Sequence, residues 1–227
     1  MVLKIKVVAC EVFRDELESL CGDEVECHFV RQGYHNTPEK MPAKLQEKID
    51  EIDGSADYIA LGYGLCSNGV VGVKAGKTPL VIPRTHDCIA LLLGSREAYE
   101  REFSSHPGTY YLTPGWIEYG GNPYSEYKDV WTKEYDEETA RWLAMEFLKN
   151  YTRVSYISNG VSDQEKYYRF TKEMADFYQF AYTEIVGDLG YLARLVQGGW
   201  GDDFLIYGPG STIEQGDFLI ENCIRFQ

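Results

Sequence analysis

The chain predicts an α/β fold: two Rossmann-like lobes with mainly parallel sheets, joined by a turn-rich connecting segment. Short apolar runs alternate with stretches of helical spacing, and this rhythm occurs twice. A stretch rich in glycine and proline separates the two occurrences. Alternating strands and helices favour parallel pairing through right-handed crossovers. The expected boundaries are 1–104 for an N-terminal lobe, 105–133 for a connector or lid, and 134–227 for a C-terminal lobe. No residue-level repeat relates the halves.

In the first hundred residues, strands are expected at 3–9, 24–30, 57–62 and 79–82. Phe13, Leu17 and Leu20 recur at helical spacing, as do Leu45, Ile49 and Ile52. Thr37-Pro38 supplies the second of these helices with a cap residue and a proline in its first turn. Residues 89–103 read as one helix that buries Leu91, Leu92, Tyr99 and Phe103. Residues 104–130 then break the pattern with Ser105-His106-Pro107-Gly108, Thr113-Pro114-Gly115-Trp116 and Gly120-Gly121-Asn122-Pro123. Beyond them the expected order is helix 134–149, strand 153–157, helix 162–181, strand 183–187, helix 189–197 and strand 203–207. Ile213 and residues 218–224 form a tail.

Composition limits the function. The chain has 227 residues, 44% hydrophobic and 26% charged, as in an ordinary globular protein. A net charge of -14 argues against nucleic acid or an anionic membrane as partner. No apolar run is long enough to cross a bilayer, and Met1 leads directly into a strand, so a cytoplasmic setting is expected. There the six cysteines are expected as thiols, metal ligands or catalytic groups, not disulfides. Most of the 18 tyrosines, 10 phenylalanines and 4 tryptophans belong to packing.

Three cysteines fall where apolar runs end. Lys4-Ile5-Lys6-Val7-Val8-Ala9 leads into Cys10, Tyr58-Ile59-Ala60-Leu61-Gly62 leads on to Cys66, and Pro79-Leu80-Val81-Ile82 leads to His86-Asp87-Cys88. Parallel strands would bring these ends to one sheet edge, where open α/β folds place their sites. Cys10, Cys66, His86 and Cys88 would then form a soft donor set suited to zinc or iron. Cys66, in a glycine-rich turn opening a helix, is also a candidate nucleophile with His86 as base. Asp87 or a backbone carbonyl would orient the imidazole, and Arg84 would grip an anionic group. Trp116 and Trp200 are expected beside the ligand, with Tyr110, Tyr111, Asp188, Glu184 and Asp202 as further lining. The glycine spacing of Gly62-Tyr63-Gly64-Leu65-Cys66-Ser67-Asn68-Gly69 does not match a dinucleotide loop. Cys21, Cys27 and Cys223 read as small buried hydrophobes.

At Gly64-Leu65-Cys66-Ser67-Asn68-Gly69, Pro83-Arg84-Thr85-His86-Asp87-Cys88-Ile89, Leu93-Gly94-Ser95-Arg96 and Gly108-Thr109-Tyr110-Tyr111-Leu112-Thr113-Pro114-Gly115-Trp116, the chain resembles the domain-of-unknown-function family numbered 1638, from anaerobic archaea and bacteria. The likeness covers about residues 4 to 210 and brings no established activity. It implies a place in anaerobic one-carbon metabolism, near corrinoid-dependent methyl transfer. Taken together, a metal-binding protein is expected, carrying zinc or iron (an iron–sulfur centre included), with a corrinoid or other small molecule, or a corrinoid protein, as partner. The alternatives are a metal-free thiol enzyme using Cys66 and His86, and a non-catalytic module that binds a small molecule or corrinoid.

Overall fold

The run from Ile5 to Cys10 is buried almost throughout, with Val7, Val8 and Ala9 wholly enclosed. Such a strand needs cover on both faces, as in a parallel sheet flanked by helices. The computed structural model, which describes residues 3–22, 25–161 and 164–219, provides that cover. In chain order its first elements are β1 (Ile5–Cys10), α1 (Arg14–Cys21), β2 (Glu26–Val30), α2 (Met41–Ile52), β3 (Tyr58–Gly62) and β4 (Leu80–Pro83). Next come α3 (Ile89–Leu92), α4 (Arg96–Ser105), β5 (Thr109–Leu112), α5 (Pro114–Tyr119), α6 (Pro123–Glu126), α7 (Thr132–Glu134) and α8 (Glu137–Phe147). The series ends with β6 (Arg153–Ser158), α9 (Gln164–Tyr178), β7 (Ala181–Val186), α10 (Gly190–Gln197) and β8 (Phe204–Tyr207).

Two sheets result, and the chain has the α/β architecture with mainly parallel strands. The first has the order β2-β1-β3-β4-β8, parallel except that β8 runs antiparallel to β4. The second is β5-β6-β7, parallel throughout. Leu45 and Ile49 of α2 and Tyr191, Leu192 and Leu195 of α10 are enclosed in the core of the first sheet. Each such side chain contributes on the order of 1.5–3 kcal/mol by leaving water. Leu112, Val154 and Met174 centre the smaller core of the second sheet.

The structure departs from the sequence reading in three places. The helix expected over 89–103 is broken: Gly94 takes φ +80, Ser95 caps α4 by accepting from the Ala98 N–H, and Asp188 occupies the space where a Cβ of Gly94 would lie. Residues 104–130 are not one long loop but contain β5 and α5, because Thr109 to Leu112 finds β6 as a partner. β8, from the stretch expected in the C-terminal lobe, closes the first sheet. Of the tail, residues 220–224, and Cys223 with them, lie outside the described residues.

The sheets meet tightly where α5 crosses the turn at 11–13. A Cβ on Gly115 would lie 1.8 Å from the Val12 carbonyl oxygen, so only glycine permits this approach. Close by in sequence, Glu16 of α1 is wholly buried. Its Oε1 accepts from Asn159 Nδ2, beyond β6, while Oε2 has no partner among the described residues.

Burial pushes the Glu16 carboxyl up to about 7 from an ordinary 4.5, with hydrogen bonds from its own backbone and from Asn159 opposing. A raised carboxyl favours the protonated fold. Its contribution is therefore complete below about pH 4.5 and is lost as pH rises through 7, about 3 kcal/mol in all at about 1.4 kcal/mol per unit. A Glu16→Gln variant lacks that loss. Urea unfolding at pH 5 and pH 8 should show the variant gaining on wild type at the higher pH. Parallel pH profiles would contradict the buried-carboxyl account.

Candidate functional site

The site is built on the carboxyl ends of β1, β3 and β4. β3 closes against β1 at Gly62, where a Cβ would lie 2.6 Å from Ala9 Cβ. Beyond it, the Leu65 N–H donates to the Thr85 carbonyl at 2.8 Å and the Cys66 N–H to the His86 carbonyl at 3.2 Å. The two loops thus continue the strand pairing past the sheet edge. The chain then turns left-handed through three non-glycine residues, Cys66, Ser67 and Asn68, with φ of 48, 55 and 67 degrees. Each such residue costs about 1–2 kcal/mol, and strain of this kind gathers at functional sites.

The thiols of this edge lie together. Cys10, Cys66 and Cys88 are 2%, 9% and 6% exposed. Cys88 pairs with the Cys66 thiol, and Cys10 lies within electrostatic reach of both. Tyr63, fully enclosed, feels all three. Burial pushes the Cys10 thiol up to about 12 against a hydrogen bond from the Val12 backbone. The Cys88 thiol is held well above the usual range, first by its hydrogen bond with Cys66 and then by burial. Both are therefore neutral near pH 7. His86 is exposed at the rim. Among the described residues, no three His, Cys, Asp or Glu side chains are already disposed as a coordination shell. The set Cys10, Cys66, His86 and Cys88 is a cluster of three enclosed thiols with an exposed imidazole lining the same cavity as Cys66 and Cys88.

Above the thiols lies a cavity of about 310 Å³, lined by Cys66, Ser67, His86, Asp87 and Cys88 on one side. Tyr110, Tyr111 and Trp116, from β5 and α5, face them with Tyr99 of α4. His35 completes the wall, edge-on to Trp116 with ring centroids 6.1 Å apart. Three of these residues carry enclosed polar atoms with no hydrogen-bond partner among the described residues: His35 Nε2, Tyr111 Oη and Trp116 Nε1. An enclosed polar atom without a partner costs about 1–3 kcal/mol, so a bound polar group would be stabilising here. Burial pushes the His35 imidazole down, with Asp87 opposing, and this favours the neutral ring.

Other sequence-derived roles change. The Asp87 carboxylate does not serve His86: it accepts from the Ile89 N–H at 2.9 Å and the Tyr99 hydroxyl at 3.1 Å. Arg84 does not line the cavity: its guanidinium donates to the Asp217 and Leu219 carbonyls at 3.0 and 2.8 Å, fastening the C-terminal turn. Trp200 packs on Tyr58 at the opposite end of β3, and its indole N–H donates to the Leu195 carbonyl. Asp188 accepts from the Gly190 N–H beside Gly94. His35 and Tyr99 were missed. The available signal for His35 was its loop after β2, one more parallel strand ending at the same edge.

The left-handed turn is testable without touching a thiol. Ser67→Gly removes one strained side chain and should raise unfolding stability by up to about 1 kcal/mol once the greater freedom of glycine in the unfolded chain is set against it. Urea denaturation reads this directly, and a loss of stability would show that the Ser67 side chain holds the turn.

No curated protein and no solved structure matches the chain. One family model does match, over residues 29–196, a span that takes in Cys66, His86, Cys88 and Trp116 but not Cys10. The chain belongs to the family described as protein of unknown function DUF1638.

Proposed function

We propose that this protein binds a soft metal ion, zinc or iron, on the thiols of Cys10, Cys66 and Cys88, and holds a small molecule in the cavity above them. The observation that carries the reading is the meeting of three thiols from three strand ends at one sheet edge. The chemistry of the donor set fits a soft cation. The Cys10 and Cys88 thiols are poor nucleophiles as they stand, because both keep their protons at neutral pH. A soft cation exchanges with those protons and turns the same burial into strong coordination, with protons released. His86, at the rim, is free to join as a fourth donor or to serve a bound ligand as base.

Bound zinc supplies a Lewis acid that activates a thiol or water, and bound iron supplies redox chemistry. The chain's own groups do the rest. Tyr111 Oη and Trp116 Nε1 are donors for a ligand oxygen, His35 Nε2 is a third polar contact, and the aromatic rings enclose the ligand's apolar part. At about 310 Å³ the cavity suits a small molecule. A corrinoid macrocycle exceeds it, so a corrinoid would be met on the face of a partner protein. Methyl transfer in one-carbon metabolism, the setting implied by the family resemblance, is compatible with a metal-bound thiolate.

One observation favours a second reading, in which Cys66 acts without metal as a nucleophile and His86 as its base. A strained turn at a strand end is how other folds lift a nucleophile into reach. Anaerobic purification with elemental analysis, followed by iodoacetamide labelling, separates the two. The metal reading expects about one zinc or iron per chain, slow labelling of Cys66, and loss of the metal in Cys66→Ser and Cys88→Ser. Metal-free protein that takes up neither ion, with rapid labelling at Cys66 alone, would overturn it in favour of the thiol enzyme. Metal-free protein with no reactive cysteine would leave a plain binding module.

A further inference from the structure

Outside the cavity a second sulfur pair stands out. Cys21 closes α1 and Cys27 lies on β2, the edge strand of the first sheet, opposite Val7 of β1. Their sulfur atoms are 3.1 Å apart. About 1 Å of closure separates that contact from a covalent bond between the two. Both line a surface cleft of about 420 Å³ together with Arg14, Glu18, Val25 and Phe29. Cys27 is only half-buried, so a reagent in the cleft can reach it.

We propose that Cys21 and Cys27 are a reversible redox pair, which closes to an intramolecular disulfide by exchange with a small oxidised disulfide such as oxidised glutathione. In the reduced pair the Cys27 thiol donates to the Cys21 sulfur. Once Cys27 ionises, the Cys21 thiol can turn to donate to its thiolate, which draws Cys27 down and holds Cys21 up. Cys27, also the more exposed of the two, is the attacking sulfur. Its thiolate bonds to one sulfur of the reagent, the reagent's S–S bond breaks, and one glutathione thiolate leaves and takes up a proton. Cys21 then loses its proton and attacks the Cys27 sulfur, and the second glutathione leaves in the same way. Two protein thiols are oxidised by two electrons, and one glutathione disulfide becomes two thiols.

The closed form would fasten the end of α1 to the edge strand. In a reducing compartment such a bond is transient and reports on redox state. Cys10, Cys66 and Cys88 belong to a different site: all three are buried, whereas Cys27 is half-exposed to its cleft. Selectivity between the two groups is therefore part of the proposal.

The full chain, incubated with oxidised glutathione at pH 7.5, tests it by thiol counting and peptide mapping. Wild type should lose two of its six thiols, give a crosslinked peptide joining Cys21 and Cys27, retain no glutathione, and recover fully in dithiothreitol. Cys21→Ser should stop at the mixed disulfide, with one glutathione on Cys27. Cys27→Ser should take up glutathione at least tenfold more slowly. Circular dichroism on both variants separates altered chemistry from altered folding, and the wild-type crosslink does not depend on either. A pair that stays reduced, or a crosslink formed equally with Cys10, Cys66 or Cys88, would overturn the proposal. So would a pair protected from oxidation by a bound metal ion.

Discussion

The parallel pairing of β1, β3 and β4 is the constraint from which the site follows. Val8 stands opposite Leu61, Ala9 opposite Gly62, and Ala60 opposite Val81, so the three strands run out at one edge. The chain leaves β1 toward β2 on one side and returns to β3 on the other. That reversal is the switch point at which open α/β sheets leave a crevice for ligands. Cys10 and Cys66 flank it, and Cys88 follows from the next strand. A slip of one residue would send every side chain of a strand to the other face. The register is protected by the Ala9–Gly62 contact, which leaves no room for a larger residue at position 62.

Strand pairing alone would leave an open edge, and the second sheet turns that edge into a cavity. α5 lies against the turn at 11–13 so closely that Gly115 has no alternative. This contact brings Trp116 over the thiols and sets Tyr110 and Tyr111 of β5 opposite the loops carrying Cys66 and His86. Trp116 packs against both cores, so the wall of the cavity is also the joint between the sheets. The strain of the left-handed turn at 66–68 is borne by backbone hydrogen bonds from Leu65 and Cys66 to the neighbouring loop. Stability and site geometry therefore rest on the same few contacts.

What the sequence disclosed follows from how local each signal is. Apolar runs of four to six residues are properties of the strands themselves, so β1, β3 and β4 could be read directly, and with them the convergence of Cys10, Cys66 and Cys88. The break at Gly94 could not, because its cause is distant: Asp188 fills the space beside it. β8 has the same apolar pattern whether it joins the first sheet or the second, and only tertiary pairing decides. Arg84 shows the limit for charged residues. A guanidinium two positions before His86 suggests an anion clamp, yet backbone carbonyls at 217 and 219 already satisfy it. The pair formed by Cys21 and Cys27 was equally hidden, because each alone looks like a small apolar residue.

Charge balance gives the site its chemical sense. The chain carries a net charge of -14, and among the described residues that line the cavity there is no Lys or Arg. His35 favours its neutral form there, and the Asp87 carboxylate is satisfied within the protein by Ile89 and Tyr99. An anionic ligand would find polar donors in this cavity but no resident countercharge. Thiols that ionised without a counterion would add negative charge to an enclosed, acidic surrounding; burial already holds Cys10 protonated against that, and the hydrogen bond with Cys66 together with burial holds Cys88 so. In the proposed reading, a cation on the sulfurs would answer the second difficulty, because it would take the place of the thiol protons and offset most of the thiolate charge. A divalent ion on three thiolates keeps one net negative charge, so an oxygen-bearing ligand held by Tyr111 and Trp116 would meet it as a Lewis acid and not as a countercharge.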